Sequence, residues 1–376
     1  MTTRRIDLVI VGAGAPGLTF AYSLRALGLV PLRDFIVIDD HPHPGANWQD
    51  GWEFMTIERG LRSGELVDLP GQADLGMGFG EFEPDLPICD VLPQVWTGYQ
   101  DAYELFVAHG VRATRAVSPR RSDRLHLSYR RPGGAEAIAE TRLLVNATGR
   151  WSNPFVPWYP GADRFAGRME HVYRVDSFAD YADRRVLVVG GGHSAVAVLL
   201  ELERRGARTL WSTLGEPDFH EVPRLGLSSR PSMRVGELSL VRRGRITRMA
   251  ARGKVLPSDV EVRGIPMTRE VFDGIRRGTL ATRGPLERLE TDAARFADGS
   301  VEPIDAVLWA TGGREATRYL APLGLRDAGG TPKIASGWSR RDERVAFLDY
   351  GPGVDPATAL DDAVNLAEDV IDRLAT

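Results

Sequence analysis

The sequence predicts an α/β protein made of two Rossmann-like domains, with the second inserted into the first. A strand, a glycine-rich loop and a helix follow one another twice along the chain, and each copy has a later strand that ends in Ala-Thr-Gly. The 376 residues are enough for two domains. Hydrophobic residues make up 43% and charged residues 26%, which is ordinary for a globular protein.

The first copy stands near the start of the chain. The apolar run 8–11 predicts a strand buried on both faces, and the helical pattern after the loop ends at Gly28. In such a loop the first glycine permits a tight turn, the second lets a pyrophosphate approach the backbone, and the third lets helix and strand pack closely. The helix N-terminus offers N–H groups to phosphates. We therefore expect nucleotide phosphates at Gly12, Gly14, Ala15, Pro16 and Gly17.

A second strand is predicted over Phe35–Ile38, directly before Asp39 and Asp40. The acid at that place is positioned to bind a ribose 2′-hydroxyl. Two ordinary glycine-rich turns without a nucleotide are the alternative interpretation.

The second copy repeats this pattern. The strand at 185–189 precedes Gly190 and Gly192, Ala195 replaces the third glycine, and the helix ends at Gly206. His193 and Ser194 lie in this loop, where backbone contact with a phosphate is the expected role. The next strand, 207–211, is followed by Ser212 and Thr213, whose hydroxyls can bond a phosphate or a ribose.

The two Ala-Thr-Gly strands, at 143–149 and 306–312, are predicted to mark where the chain leaves and re-enters the first domain. The predicted boundaries give one domain of residues 1–156 and 305–376 around an inserted domain of residues 157–304.

Several function classes are excluded. A net charge of −4 gives no case for nucleic acid. The single cysteine, Cys89, excludes a disulfide framework, a dithiol redox centre and a cysteine-based zinc site. His41 and His43 lack metal-ligand spacing, so no metal is expected. The apolar stretch 8–24 contains several glycines and predicts the first loop and helix rather than a membrane span, so the expected location is cytoplasmic.

Other segments are predicted from periodicity and turn residues. Residues 125–130 and 141–145 predict a hairpin, and 96–109 and 359–374 predict helices. The stretch 224–283 carries 14 basic and five acidic residues. This stretch is either a solvated face or a surface that steers an anionic substrate or cofactor.

These motifs resemble those of the two-dinucleotide-binding-domain flavoproteins, and most of all the small bacterial flavin-containing monooxygenases of class B type. The resemblance spans nearly the whole chain. It rests on Gly12-x-Gly14-x-x-Gly17, Asp39, Gly45-Ala46-Asn47-Trp48-Gln49, Ala147-Thr148-Gly149, Phe165-x-Gly167-x-x-x-His171, Gly190-x-Gly192-x-Ser194-Ala195, Ala310-Thr311-Gly312 and the tail from Leu348 to Leu360. Two positions depart from the family pattern: Val175 replaces an aromatic or acidic residue, and Glu58 aligns with an asparagine near the reactive flavin carbon.

The resemblance implies FAD on the first domain and NAD(P)H on the inserted one. Hydride would pass to the flavin, and oxygen would then form a flavin C4a-(hydro)peroxide that oxygenates a small molecule at nitrogen, at sulfur or in the Baeyer–Villiger mode. Besides the first loop, the residues expected at FAD are Asp39, Asp40, Asn47, Trp48, Gln49, Val117, Thr148, Gly149, Asp349, Ala359 and Leu360. Those expected at NAD(P)H are Gly190, Gly192, His193, Ser194, Ala195, Ser212, Thr213, Thr311 and Gly312.

His171 and Glu58 are the candidate catalytic residues; a structural role is the alternative for His171, as packing is for Trp48. The expected partners are a small-molecule substrate and molecular oxygen, with no nucleic acid or membrane, and a homodimer is possible. Two other functions stay open: an NAD(P)H-dependent reductase or oxidase without oxygen insertion, and a non-enzymatic redox sensor. Because residues 212–215 contain neither arginine nor acid, we expect NADH and NADPH to be used similarly.

Overall fold

A computed structural model of the chain describes residues 2–45, 48, 51–120, 122–220, 264–326, 331–351 and 354–375. The chain folds into two compact units, one formed by Met1–Gly149 with Glu315–Thr376 and the other by Arg150–Arg314. Both boundaries therefore differ from the expected 156/157 and 304/305. The division of cofactors between the units stays a prediction.

The described strands and helices are numbered here in chain order. The strands are β1 (Thr2–Val11), β2 (Phe35–Ile38), β3 (Arg112–Val117), β4 (Leu125–Arg130), β5 (Glu136–Asn146), β6 (Arg168–His171), β7 (Arg185–Val189), β8 (Arg208–Ser212), β9 (Phe219–His220), β10 (Ile265–Pro266), β11 (Leu286–Leu289), β12 (Ala293–Phe296), β13 (Val301–Pro303), β14 (Ala306–Trp309), β15 (Ile334–Ala335), β16 (Trp338–Ser339) and β17 (Val345–Phe347). The α-helices are α1 (Ala15–Ala26), α2 (Ile57–Ser63), α3 (Ile88–Ala102), α4 (His193–Arg204), α5 (Arg269–Arg277) and α6 (Pro356–Ala375).

The first unit is built on one sheet with strand order β2-β1-β5-β17-β16-β15, and the β3–β4 hairpin joins it at β5. Strands β2, β1, β5 and β17 are parallel, so their apolar residues are buried on both faces. On one face α1, α3 and α6 share a core that includes Leu18, Trp96 and Leu366. The other face is covered by the hairpin and the 3-10 helix Arg318–Leu323.

The second unit has a four-stranded parallel sheet of order β8-β7-β14-β6. An antiparallel sheet, β11-β12-β13, packs on it through Phe296 and Trp309. The position of β14 between β6 and β7 explains the shifted boundary, because this Ala-Thr-Gly strand belongs to the second unit and not to the first.

The structure contains the elements that were predicted from short sequence patterns, namely β2 and the hairpin of β4 and β5. Strand β2 has the predicted bounds, and the predicted hairpin forms around Gly133 and Gly134, which both have positive φ. The helix expected over 96–109 instead spans Ile88–Ala102. It ends because Glu104 and Phe106 take positive φ values of 47° and 48°, outside the helical region. Among the described residues, no helix is long and apolar enough to cross a membrane.

Candidate functional site

The carboxyl ends of four parallel strands meet at one edge of the first sheet. Val11 of β1 pairs in register with Ile38 of β2 and Asn146 of β5, and Asn146 pairs with Phe347 of β17. Each of these four strand ends is followed by predicted FAD residues: Gly12 after β1, Asp39 after β2, Thr148 after β5 and Asp349 after β17. In α/β sheets, ligands bind outside this edge.

The first glycine loop is shaped by close backbone approaches. Gly12 has a φ of +108°, and a Cβ atom there would lie 2.2 Å from the carbonyl oxygen of Ala147. A Cβ at Gly17 would lie 2.1 Å from the carbonyl oxygen of Gly12. A Cβ at Gly14, by contrast, would have no described atom within 4 Å. The loop thus leaves space at Gly14, at the start of α1, which fits the approach of a pyrophosphate.

Asp39 connects this loop to the end of β2 through hydrogen bonds of its carboxylate. Its Oδ2 accepts a hydrogen bond from the backbone N–H of Ala13 at 2.6 Å, and its Oδ1 accepts one from His41 N–H at 2.9 Å. Burial raises the pKa of the Asp39 carboxyl group. Each carboxylate oxygen keeps a lone pair for a ribose hydroxyl. Asp40 is exposed instead, and its carboxylate lies 3.2 Å from the Arg112 guanidinium.

The other predicted FAD residues follow the same edge or lie near it in sequence. The Thr148 hydroxyl donates to Asn146 Oδ1 at 3.1 Å, in the loop that continues β5. Asp349, just after β17, has a φ of +50°, a strained conformation of the kind that clusters at ligand sites. Ala359 and Leu360 are buried near the start of α6, and Val117 ends β3.

Residues 45–49, the segment that contains Trp48, are described only in part. Trp48 is half-buried against the core of the first unit, and its N–H donates to the Gly45 carbonyl oxygen at 3.0 Å. Asn47 and Gln49 lie outside the described residues. This contact favours the packing role for Trp48.

The second unit repeats the aligned edge. Val189 of β7 pairs in register with Ser212 of β8 and Trp309 of β14, and Trp309 pairs with His171 of β6. Gly190 has a φ of +140°, and a Cβ there would lie 2.2 Å from the carbonyl oxygen of Ala310. The alanine of Ala-Thr-Gly therefore packs on the first glycine in both units.

The second loop opens α4 directly. Gly192 is the N-cap and His193 begins the helix, with Ser194 and the buried Ala195 following in its first turn. The His193 Nε2 lies 2.8 Å from the carbonyl oxygen of Gly264. The His193 ring thus contacts a distant segment of its own unit, while among the described residues the N-cap Gly192 provides no side-chain cap hydrogen bond to α4.

Thr213 stands where Asp39 stands in the first unit. Gly12 N–H donates to Ile38 O at 2.8 Å and Gly190 N–H donates to Ser212 O at 3.0 Å, so Thr213 and Asp39 each follow the equivalent strand end. Thr213 is 4% exposed, and its Oγ1 lies 2.7 Å from the Oγ1 of Thr282. Thr282 was not predicted from the sequence, because it lies 69 residues further along the chain.

The Ser212 hydroxyl donates one hydrogen bond and accepts one within the protein. It donates to the carbonyl oxygen of Gly284 at 2.9 Å and accepts from Leu286 N–H at 3.0 Å. This bonding favours a structural role for Ser212, whose hydroxyl hydrogen is not available to a phosphate or ribose.

His171 holds two segments of the second unit together. Its Nε2 donates to the Gly312 carbonyl oxygen at 2.9 Å, and its Nδ1 accepts from Tyr173 N–H at 3.1 Å. Burial lowers the pKa of His171 to about 4, so the ring is neutral at ordinary pH. With both ring nitrogens engaged, the bonding favours a structural role over proton transfer. The Thr311 hydroxyl, next to Gly312, donates to the carbonyl oxygen of Phe155.

Glu58 is exposed on the first turn of α2. Its carboxylate pairs with Arg62 at 2.6 Å, one helical turn away. The exposed ion pair adds little stability. It does not by itself assign chemistry to Glu58.

The basic stretch lies mainly outside the described residues, since residues 221–263 are not described. In its described part, Arg277 pairs with Glu203 and Arg283 pairs with Glu302, each at 2.7 Å. In the described ranges, no group of three or more acidic, histidine or cysteine residues could hold a metal ion.

Two family models match parts of the chain. Residues 10–73 match the NAD(P)-binding Rossmann-like domain, and residues 135–255 match the pyridine nucleotide-disulphide oxidoreductase domain.

Several similar proteins are monooxygenases by name. The chain is 28% identical to the indole-3-pyruvate monooxygenase YUCCA1 of Oryza sativa subsp. japonica, covering 96% of this chain and 90% of that protein. It is 26% identical to the FAD-containing monooxygenase EthA of Mycolicibacterium smegmatis, over 54% of this chain and 40% of that one. The structure of a flavin-containing monooxygenase from Stenotrophomonas maltophilia is 25% identical and covers 99% of this chain and 100% of its own, with a TM-score of 0.73.

Proposed function

We propose that this chain, which is similar to flavin monooxygenases, is itself an FAD-dependent, NAD(P)H-using monooxygenase. The first glycine loop holds FAD and the second holds the reduced nicotinamide coenzyme. The observation that carries two dinucleotide sites is the pair of aligned sheet edges, each with a positive-φ glycine beneath an Ala-Thr-Gly loop. The assignment of FAD to the first loop and of the coenzyme to the second follows the family resemblance.

The residues of the first edge suit the separate parts of FAD. The space at Gly14 and the N-terminus of α1 suit the pyrophosphate, and the Asp39 carboxylate suits a ribose hydroxyl. Asp355 and Thr358 cap α6 reciprocally: Thr358 N–H donates to Asp355 Oδ1 at 2.9 Å and Asp355 N–H donates to Thr358 Oγ1 at 3.1 Å. This capped N-terminus carries the positive end of the helix dipole, which would stabilise negative charge on a reduced flavin.

Bound FAD would supply the redox chemistry, namely acceptance of a hydride from the coenzyme and reduction of molecular oxygen, with one oxygen atom entering the substrate and the other leaving as water. The chain itself supplies binding, orientation and exclusion of water. His171 contributes by keeping the loop at Gly312 against β6, at the edge that carries the second glycine loop. We propose oxygenation of a small molecule at nitrogen, sulfur or a ketone carbon.

Oxygen consumption tests this function. The purified holoprotein with NADPH or NADH is offered an amine, a thioether and a ketone, and oxygen uptake, product and free hydrogen peroxide are quantified together. We expect one substrate class to give oxygenated product in near-equal amount to coenzyme oxidised. Coenzyme oxidation that yields only hydrogen peroxide or a reduced acceptor would favour the reductase or oxidase instead. A protein without flavin absorbance would favour the sensor.

A further inference from the structure

The hydroxyls of Thr213 and Thr282 are hydrogen-bonded to each other at the carboxyl end of β8. Their oxygens are 2.7 Å apart, and Gly284 N–H also donates to Thr282 Oγ1 at 3.0 Å. Arg283 N–H donates to Trp211 O at 2.8 Å, so the segment 282–286 runs beside β8. This backbone bond, together with the bonds of the Ser212 hydroxyl to Gly284 O and Leu286 N–H, holds the segment beside β8.

The number of hydroxyl hydrogens determines how many hydrogen bonds the two threonines can donate to a ligand. Two hydroxyls carry two hydrogens, and one of these lies between the two oxygens. Gly284 N–H already fills a lone pair of Thr282. Within the part of the chain that the structure describes, no other group accepts from either hydroxyl. One O–H hydrogen therefore remains for an acceptor outside the pair.

The position of the pair indicates which acceptor this is. Thr213 follows the strand end that corresponds to the one before Asp39, and this is where Rossmann-like domains bind the substituent on C2′ of the adenosine ribose. Asp39 can only accept hydrogen bonds when ionised, whereas the hydroxyl pair donates one. A hydroxyl oxygen of NADH or a phosphate oxygen of NADPH can accept it.

Resting on the proposed binding of NAD(P)H by the second unit, we propose that Thr282 is a positioning residue for this coenzyme. By accepting from Gly284 and bonding Thr213, it orients one hydroxyl hydrogen toward the oxygen on C2′ of the ribose. Thr213 makes the contact, and Thr282 fixes its direction. A bond to the charged phosphate is the stronger one, so the pair matters more for NADPH than for NADH.

The test uses the holoenzyme in anaerobic rapid mixing with each coenzyme, and it measures the apparent Kd and the limiting rate of flavin reduction. For Thr213→Val we expect the apparent Kd for NADPH to rise at least about tenfold, and for NADH about fivefold. For Thr282→Val we expect a rise of about threefold to fivefold with an unchanged limiting rate, and Thr282→Ser should match the wild type.

Thr279→Val is the matched control. Thr279 lies three residues earlier, and its hydroxyl bonds the Glu203 carboxylate instead of the β8 end. This variant should bind both coenzymes like the wild type. If Thr282→Val folds poorly, Thr282→Ala removes the same hydroxyl with less packing change and must give the same shift.

Three results would overturn the role of Thr282: an apparent Kd unchanged in the Thr282 variants, an equal rise in Thr279→Val, or a loss of flavin in a folded Thr282→Val. A wild-type holoprotein whose flavin neither coenzyme reduces would instead contradict the proposed function itself, so the two failures are distinguishable.

Discussion

The two glycine loops share one backbone design and differ in the residue that follows the neighbouring strand. Gly12 and Gly190 both have positive φ and both lie against the carbonyl oxygen of an Ala-Thr-Gly alanine. Beside them stand Asp39 in the first unit and Thr213 in the second. We therefore propose that the backbone binds phosphate in both units, while one side chain distinguishes the ribose that each would accept.

The two residues also differ in how they are held. Asp39 is fixed by nearby backbone N–H groups, those of Ala13 and His41. Thr213 is fixed by Thr282, from a segment 69 residues later. The proposed first ribose site is therefore built within one βαβ unit, whereas the proposed second site also needs the segment beside β8.

The largest expected effect comes from Gly12→Ala. The new methyl group would overlap the carbonyl oxygen of Ala147, and alanine disfavours a φ of +108°. We expect the free energy of unfolding of the apoprotein to fall by about 3 kcal/mol or more, measured by chemical denaturation. A loss of less than about 0.5 kcal/mol would contradict the shared backbone design.

Thr213→Asp should make the second edge resemble the first. A carboxylate there would repel the 2′-phosphate, since like charges placed close together cost several kcal/mol. We expect the kcat/KM for NADPH to fall at least about a hundredfold and that for NADH to fall less than about tenfold. The neutral Thr213→Asn serves as the control in steady-state assays. Equal losses for the two coenzymes would show that this position does not face the C2′ group.

Gly14→Ala should weaken FAD binding without weakening the fold. No described atom lies within 4 Å of the added methyl group, and Gly14 has an ordinary φ of −71°. The methyl group would instead crowd the pyrophosphate. We expect the Kd for FAD to rise about tenfold while the apoprotein keeps its Tm. Full retention of flavin through dialysis would place the pyrophosphate elsewhere.

The smallest expected effect is the difference between NADH and NADPH as coenzymes of the wild-type protein. No acid and no arginine lies in residues 212–215, and the proposed contact of the Thr213–Thr282 hydroxyl pair would suit either coenzyme. We expect the kcat/KM values for NADH and NADPH to differ by less than about tenfold, or roughly 1.4 kcal/mol. A preference of a hundredfold or more for NADPH would indicate an arginine of the basic stretch at the phosphate.

Sequence reasoning succeeded for features that depend on neighbouring residues. The glycine loops, β2 and the final helix each follow from local periodicity and turn chemistry. The start of α3 was missed because Pro93 interrupts the pattern, although the helix continues through it.

Features that depend on distant pairing were not predictable in this way. The domain boundary depends on β14 lying between β6 and β7, and the Thr213–Thr282 pair joins residues far apart in the chain. The bonding of Ser212 to Gly284 and Leu286 is equally non-local. No local pattern reports such contacts.

The division of the two cofactors between the two loops is tested most directly by Gly192→Val. Gly192 is the N-cap of α4, where a branched side chain would obstruct the coenzyme phosphates but would lie outside the first unit. The measurement is the flavin absorbance spectrum together with the KM for NADPH and NADH. We expect an unchanged spectrum and a KM raised at least about tenfold. Loss of flavin together with coenzyme binding, in a folded variant, would contradict the division.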